Sequence, residues 1–173
     1  AGAKERVPMC GVPHHSVNTY LDRLTEKGYK VAIVEQMEDP SQAKGIVTRD
    51  VVKIVTPGTI TDGVALDEKD YNFITTVSRD KDRYILAYCD LTTGENYLTD
   101  LPIADDLLHA ELLKLKTKEV VVASNFNQNI FLPLKAIIPI TISIEDNIDS
   151  IDYMESLSNE LDKNEKIAFN RLL

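Results

Sequence analysis

Cysteine is scarce in this chain of 173 residues, which has two, Cys10 and Cys89, far apart in sequence. Such a pair does not make a disulfide framework, and a reducing, cytoplasmic setting is the expectation. No apolar run is long enough to span a bilayer, and the first residues lack the charged, apolar and small-residue order of a signal peptide. Membrane insertion and secretion are therefore not expected. The sequence has no internal repeat and no low-complexity tract, which sets aside solenoids and compositional linkers. It also lacks a basic excess. Its net charge is −9, and affinity for duplex DNA comes largely from phosphate neutralisation by Lys and Arg.

That charge is unevenly placed. Residues 1–65 carry eight basic and eight acidic side chains, whereas residues 66–173 carry eleven and twenty. The whole carboxylate excess thus lies in the second part, which is suited to protein partners; any contact with nucleic acid belongs to the first. With 43% hydrophobic residues, the chain can bury one good core or two small ones.

The pattern along the chain reads as α/β. Ser16 to Lys27 is a helix, with Ser16 or a neighbouring His as its cap and Val17, Tyr20, Leu21 and Leu24 on one face. Gly28 stands where a left-handed residue ends a helix. Val31–Val34 is an unbroken apolar run, read as a buried strand. Met37–Gly45 is a polar loop, and Val51–Thr56 is a second strand stopped by Pro57-Gly58. Thr59–Asp70 is a polar linker.

Beyond the linker, Phe73–Val77, Tyr84–Cys89 and Asn96–Leu101 form a three-strand meander. A helix from Ala104 to Lys116 aligns Leu108, Leu112 and Leu115. Asp105 and Asp106 in its first turn and Lys114 and Lys116 in its last suit the helix dipole. Glu119–Ala123 is a buried strand, Ser124–Lys135 a loop or short irregular helix, Ile140–Ile144 an alternating strand and Asp149–Leu161 a helix. The apolar helical pattern at Ala168–Leu173 has no stop signal. This order fits a ribonuclease-H-like sheet.

The stretch from Val7 to Thr59, VPMCGVPHHSVNTYLDRLTEKGYKVAIVEQMEDPSQAKGIVTRDVVKIVTPGT, closely resembles the mismatch-recognition domain of the MutS family of DNA mismatch-repair proteins. The resemblance continues collinearly through Asp70–Leu101, where Asn72-Phe73 opens a strand and Tyr88-Cys-Asp-Leu-Thr-Thr-Gly94 matches a strand and turn of the family's connector domain. It implies a truncated mixed α/β mismatch-recognition domain (1–58), a linker (59–70) and a ribonuclease-H-like connector domain (71–173), with both ends cut. The family's Phe-x-Glu motif, whose Phe wedges beside a mispaired base, lies upstream of Val7 and is absent. What the resemblance leaves for DNA contact is Pro8 and Met9 at minor-groove positions, Lys44 in a loop and Arg49 near the backbone.

The same resemblance implies partners for a longer parent, namely mispaired or looped duplex DNA, MutL at the connector, and a second copy in a homodimer. ATP and Mg would belong to the parent, since no G-x-x-x-x-G-K-[ST] loop occurs here. No cofactor, metal or enzymatic activity is expected of these residues. Cys10 with His14 and His15 matches no common zinc spacing.

One rival remains from another class. Asp90 ends a strand before Thr-Thr-Gly, a position that resembles the first metal-binding Asp of ribonuclease-H-like nucleases. Two-metal chemistry needs several converging carboxylates, for which Glu111, Glu119 and Asp146 are available in number. A carboxylate there also serves to cap the turn at Thr92–Gly94.

Overall fold

The computed structural model describes residues 11–39, 45, 47–60, 73–148 and 161–172. A single 3-10 turn, His14–Ser16, leads into α1 (Val17–Glu26). Ser16 makes no side-chain cap bond, and both histidines are exposed, so the expected capping role falls away. The backbone instead enters through the Ser16 amide, which donates to the Pro13 carbonyl at 2.9 Å. Gly28 ends the helix at φ +82° as expected, its amide bonded to the Thr25 carbonyl.

Strands β1 (Val31–Gln36) and β2 (Arg49–Val55) then pair antiparallel as a two-stranded ribbon with a bulge between Ile33 and Val34. The reading of Val31–Val34 as a buried strand is corrected here: Val34 is 49% exposed, and Val51, Val52 and Ile54 across the ribbon are exposed too. Ribbon pairing satisfies backbone groups along one side of each strand. It does not by itself cover an apolar face.

The second part is an open five-stranded sheet. Strands β3 (Phe73–Arg79), β4 (Arg83–Asp90) and β5 (Glu95–Pro102) form the expected meander, β3 two residues longer at its end and β4 and β5 one residue longer at each end than the apolar pattern indicates. Helix α2 (Asp105–Lys114) crosses back so that β6 (Glu119–Val122) lies parallel beside β3, and β7 (Thr141–Ile144) lies parallel beside β6. The spatial order β5-β4-β3-β6-β7, with one antiparallel hairpin side and one parallel side, is ribonuclease-H-like. Between β6 and β7 the irregular segment resolves into a 3-10 turn, Gln128–Phe131, running into a one-turn helix, α3 (Leu132–Lys135). The last helix is α4 (Lys163–Leu172); the helix expected at Asp149–Leu161 lies almost wholly outside the described residues.

Strand alternation divides the core into two layers. Val77, Tyr84, Leu86, Val120 and Val122 face Leu108 and Leu112 of α2 together with Phe131 and Leu134. Ile85 and Ala87 face Ala168 and Phe169 of α4, and Ile74, Cys89 and Val121 meet Leu172. Each fully buried leucine of α2 contributes about 1.5–3 kcal/mol by transfer from water. On the far side, Arg83 on β4 ties Asp100 on β5 to Asp162 and Glu165 at the start of α4.

Tyr84 adds a pH-dependent element to the first layer. It is 2% exposed, and its hydroxyl donates to Asp105 at 2.7 Å. Burial, reinforced by that bond, pushes its pKa up to about 12. A phenol whose folded pKa is raised contributes stability fully below its unfolded value near 10 and loses it as pH climbs through the folded value. Denaturant midpoints of the wild type are expected to fall between about pH 10 and 12, while a Tyr84→Phe variant loses this component of the slope.

Candidate functional site

Of the four residues expected at DNA, Pro8, Met9 and Lys44 lie outside the described residues, as does Cys10. Arg49 is the first residue of β2, opposite Gln36 in the ribbon register, and is exposed. Its only side-chain hydrogen bond within the described residues is a long one, Nη1 to the Val47 carbonyl at 3.5 Å. Just before it, Thr48 is held by Glu38, whose Oε1 accepts from the Thr48 amide at 2.7 Å and the Thr48 hydroxyl at 2.8 Å. These bonds hold the Glu38 carboxyl below the usual range. The carboxylate stays ionised, and the strand start that presents Arg49 keeps its anchor.

Asp90 is almost fully buried, at 1% exposure. Its Oδ1 accepts from the Thr92 amide at 2.9 Å and the Thr92 hydroxyl at 2.6 Å, and its carbonyl accepts from the Gly94 amide at 2.7 Å. The side chain thus builds the turn, with Gly94 at φ +75°. Because β4 runs antiparallel, Asp90 pairs with Phe73 at the beginning of β3. It therefore lies at the opposite end of the sheet from the carboxyl ends of the parallel strands. The other carboxylates are dispersed: Glu111 pairs with Lys114 at 2.9 Å, and Asp146 accepts from the Ser124 amide at 2.8 Å. Among the described residues, no group of three or more His, Cys, Asp or Glu side chains is arranged to hold a metal.

The best-built polar site centres on Glu119, which the sequence alone offered only as one of several carboxylates available in number. Glu119 opens β6, only 2% exposed. Its Oε2 accepts from the Thr56 hydroxyl and, at 3.2 Å, from the Gly58 amide, while its Oε1 accepts from the Ser143 hydroxyl on β7. Lys30, at the entrance to β1, places its Nζ 3.9 Å away. A second link lies nearby, where the Thr141 hydroxyl donates to the Gly28 carbonyl at 3.4 Å. Thr59 closes the segment on itself, its hydroxyl accepting from the Thr56 amide at 2.8 Å. One buried carboxylate surrounded by donors from both parts is a joint, and it pins the ribbon-and-helix unit to the edge of the large sheet. The available signal was a carboxylate at the head of the apolar strand Glu119-Val-Val-Val122, which must have partners if the strand is buried.

Gly58 is required at this joint by space. A Cβ there would lie 2.9 Å from the Glu119 Cβ, 3.0 Å from its Oε2 and 3.2 Å from the Ile74 Cβ. Gly58→Ala is expected to destabilise the chain by about 1–3 kcal/mol through overpacking. Amide exchange should rise along residues 56–59 and stay unchanged at the centre of β4, a pattern that hydrogen-exchange mass spectrometry resolves.

The fold defines a two-part α/β protein, a ribbon-and-helix unit held by a buried carboxylate against a ribonuclease-H-like sheet. Family comparison gives that architecture its place. The model of MutS domain I matches residues 1–64 and that of MutS domain II matches residues 72–170. The chain belongs to the MutS family of DNA mismatch-repair proteins. It is 46% identical over 174 residues to the DNA mismatch repair protein MutS of Geobacillus sp. (strain WCH70), covering 99% of this chain and 20% of that protein. To the MutS of Bacillus licheniformis it is 44% identical over 172 residues, covering 99% and 19%. To that of Bacillus subtilis (strain 168) it is 44% identical over 161 residues, covering 92% and 19%. The chain therefore spans about one fifth of the length of these relatives, in the region of their mismatch-recognition and connector domains. No helix among the described residues is long and apolar enough to cross a membrane.

Proposed function

We propose that this chain is the DNA-facing and connecting portion of a mismatch-repair protein whose whole length binds mispaired or looped duplex DNA. The first part approaches the duplex, with Pro8 and Met9 toward the minor groove and Lys44 and Arg49 toward the backbone. The connector links that part to the rest of the protein and presents an acidic surface to MutL. ATP and Mg are handled by the homodimeric parent outside these residues, and residues 1–173 carry no catalysis of their own.

The observation that carries this reading is the joint at Glu119. A DNA-reading unit can pass a displacement to a connector only if the two are mechanically continuous. A buried carboxylate that takes bonds from Thr56 and Gly58 on one side and Ser143 on the other supports such continuity.

Arg49 supplies the test. Fluorescence anisotropy with matched and G·T-mismatched duplexes is expected to give weak, salt-sensitive binding with little preference for the mismatch. Arg49→Ala should weaken both duplexes alike and reduce the slope of log affinity against log salt by about 1, the signature of one lost phosphate contact. An unchanged slope would remove Arg49 from the interface.

A further inference from the structure

A cleft of about 790 Å³ opens where the carboxyl ends of β3 and β6 meet the start of α2 and one side of α4. It lies away from Asp90 and away from the Glu119 joint. After β3 the chain turns to β4 on one side, and after β6 it goes to β7 on the other. Diverging connections at the carboxyl ends of adjacent parallel strands leave a crevice of the kind that receives ligands in open α/β sheets, and the volume falls within the range of small-molecule sites.

The chemistry of this wall runs against that of the domain around it. Residues 66–173 carry a large carboxylate excess, yet three cations line the cleft: Arg79, Lys81 and Arg171. None of the three has a carboxylate within ion-pair distance among the described residues, whereas Arg83, a few positions along, has three. Arg171 is the most informative because it is 8% exposed. Its Nε donates to the Glu145 carbonyl and its Nη1 to the Ser78 hydroxyl, each at 2.9 Å. Both acceptors are neutral, and Nη2 makes no hydrogen bond among the described residues. Burial pulls the Arg171 pKa down and is only partly offset by Asp146 and Glu145, neither of which comes within ion-pair distance, so the guanidinium keeps room for a closer anion.

Two carboxylates, Asp80 and Asp105, share the wall, so three cations stand against two anions. Asp105 accepts from the Tyr84 hydroxyl, and Asp80 accepts from the Lys81 amide at 2.7 Å. Helix α2 begins at the cleft without a side-chain cap, and its positive end is met by Asp105 and Asp106 in the first turn. Phe126 provides an apolar floor and Asn125 an amide.

We propose that this cleft binds a small molecule bearing an oxyanion, a phosphate or a carboxylate group, with Arg171 at its base and Arg79 and Lys81 at its rim. A planar guanidinium suits paired oxygens, and the rim cations add attraction without fixing geometry. This proposal stands or falls independently of the proposed DNA contacts and of the proposed MutL surface.

The test is isothermal titration of the 173-residue chain with inorganic pyrophosphate and, separately, citrate, at fixed low ionic strength with sodium chloride as control. Saturable binding of at least one probe is expected, weakened about tenfold or more in the Arg79→Ala/Lys81→Ala double variant. Both of those residues are exposed, so that variant keeps the fold. Arg171→Met should abolish binding, and its melting curve is recorded alongside to separate lost binding from lost structure. Response to pyrophosphate alone identifies a phosphate ligand, and response to citrate alone a polycarboxylate. Binding equal in the wild type and the double variant, or no more than chloride produces, would overturn the proposal.

Discussion

Glu119→Ala is expected to destabilise the chain by about 3–5 kcal/mol, the range found when one partner of a buried charged cluster is removed. The loss comes mainly from what is left behind. Alanine cannot accept from the Gly58 amide or the Ser143 hydroxyl, and each buried donor without a partner costs about 1–3 kcal/mol. The Thr56 hydroxyl loses one of two partners and keeps Thr59 at 3.0 Å. Lys30 adds little, because its side chain is 45% exposed and 3.9 Å away.

Glu119→Gln is the informative companion. It keeps the volume and one acceptor but points an amide NH₂ at neighbours that are themselves donors, so its cost should fall between wild type and alanine. Urea unfolding of the three proteins measures the order. Hydrogen exchange at residues 56–59 locates the change: exchange should accelerate there before it does in β3 and β4. If both variants unfold within about 0.5 kcal/mol of wild type, the ordinary range for surface substitutions, the joint does not hold the two parts together.

The elements of the second part were legible because their burial follows a regular period. Tyr84–Cys89 alternates between two covered faces, and Leu108 and Leu112 repeat at helical spacing, so pattern and structure coincide. The turn at Asp90 was legible as local chemistry, since a carboxylate two residues before a threonine and four before a glycine makes its bonds within the segment. The ribbon was misjudged in one respect. An apolar run such as Val31–Val34 announces a strand, but whether it is covered depends on elements elsewhere, and here Val34 and Ile54 are exposed.

The joint was invisible for a related reason. Thr56 and Glu119 are 63 positions apart, and no periodicity links a Thr-Pro-Gly-Thr stop to a carboxylate at the head of a distant strand. The cleft is less legible still. Arg79, Lys81 and Arg171 look like ordinary surface charges until the topology brings β3, β6 and α4 together.

Phe131→Ala should be as damaging as the loss of Glu119, about 3–5 kcal/mol, by a different physical route. Phe131 is fully buried between the irregular segment and the sheet, in the layer formed by Val120, Val122, Leu108 and Leu112. Its ring lies 5.8 Å from that of Phe126 in a stacked arrangement. Alanine would leave a cavity and deprive Phe126 of its neighbour, adding the aromatic pair's contribution of about 0.5–1.5 kcal/mol to the lost burial. The adjacent Leu132 is 60% exposed, so Leu132→Ala should stay within about 0.5 kcal/mol of wild type. Chemical denaturation followed by far-ultraviolet circular dichroism compares the two. A Phe131→Ala variant no less stable than Leu132→Ala would mean that the 3-10 segment merely rests on the sheet. The expected contrast means instead that this non-periodic stretch closes one face of the connector, with Phe131 inside and Phe126 passing from that core to the floor of the cleft. Packing at Phe131 would then set the shape of the cleft, and Phe131→Ala should perturb pyrophosphate or citrate binding even under conditions where the chain remains folded.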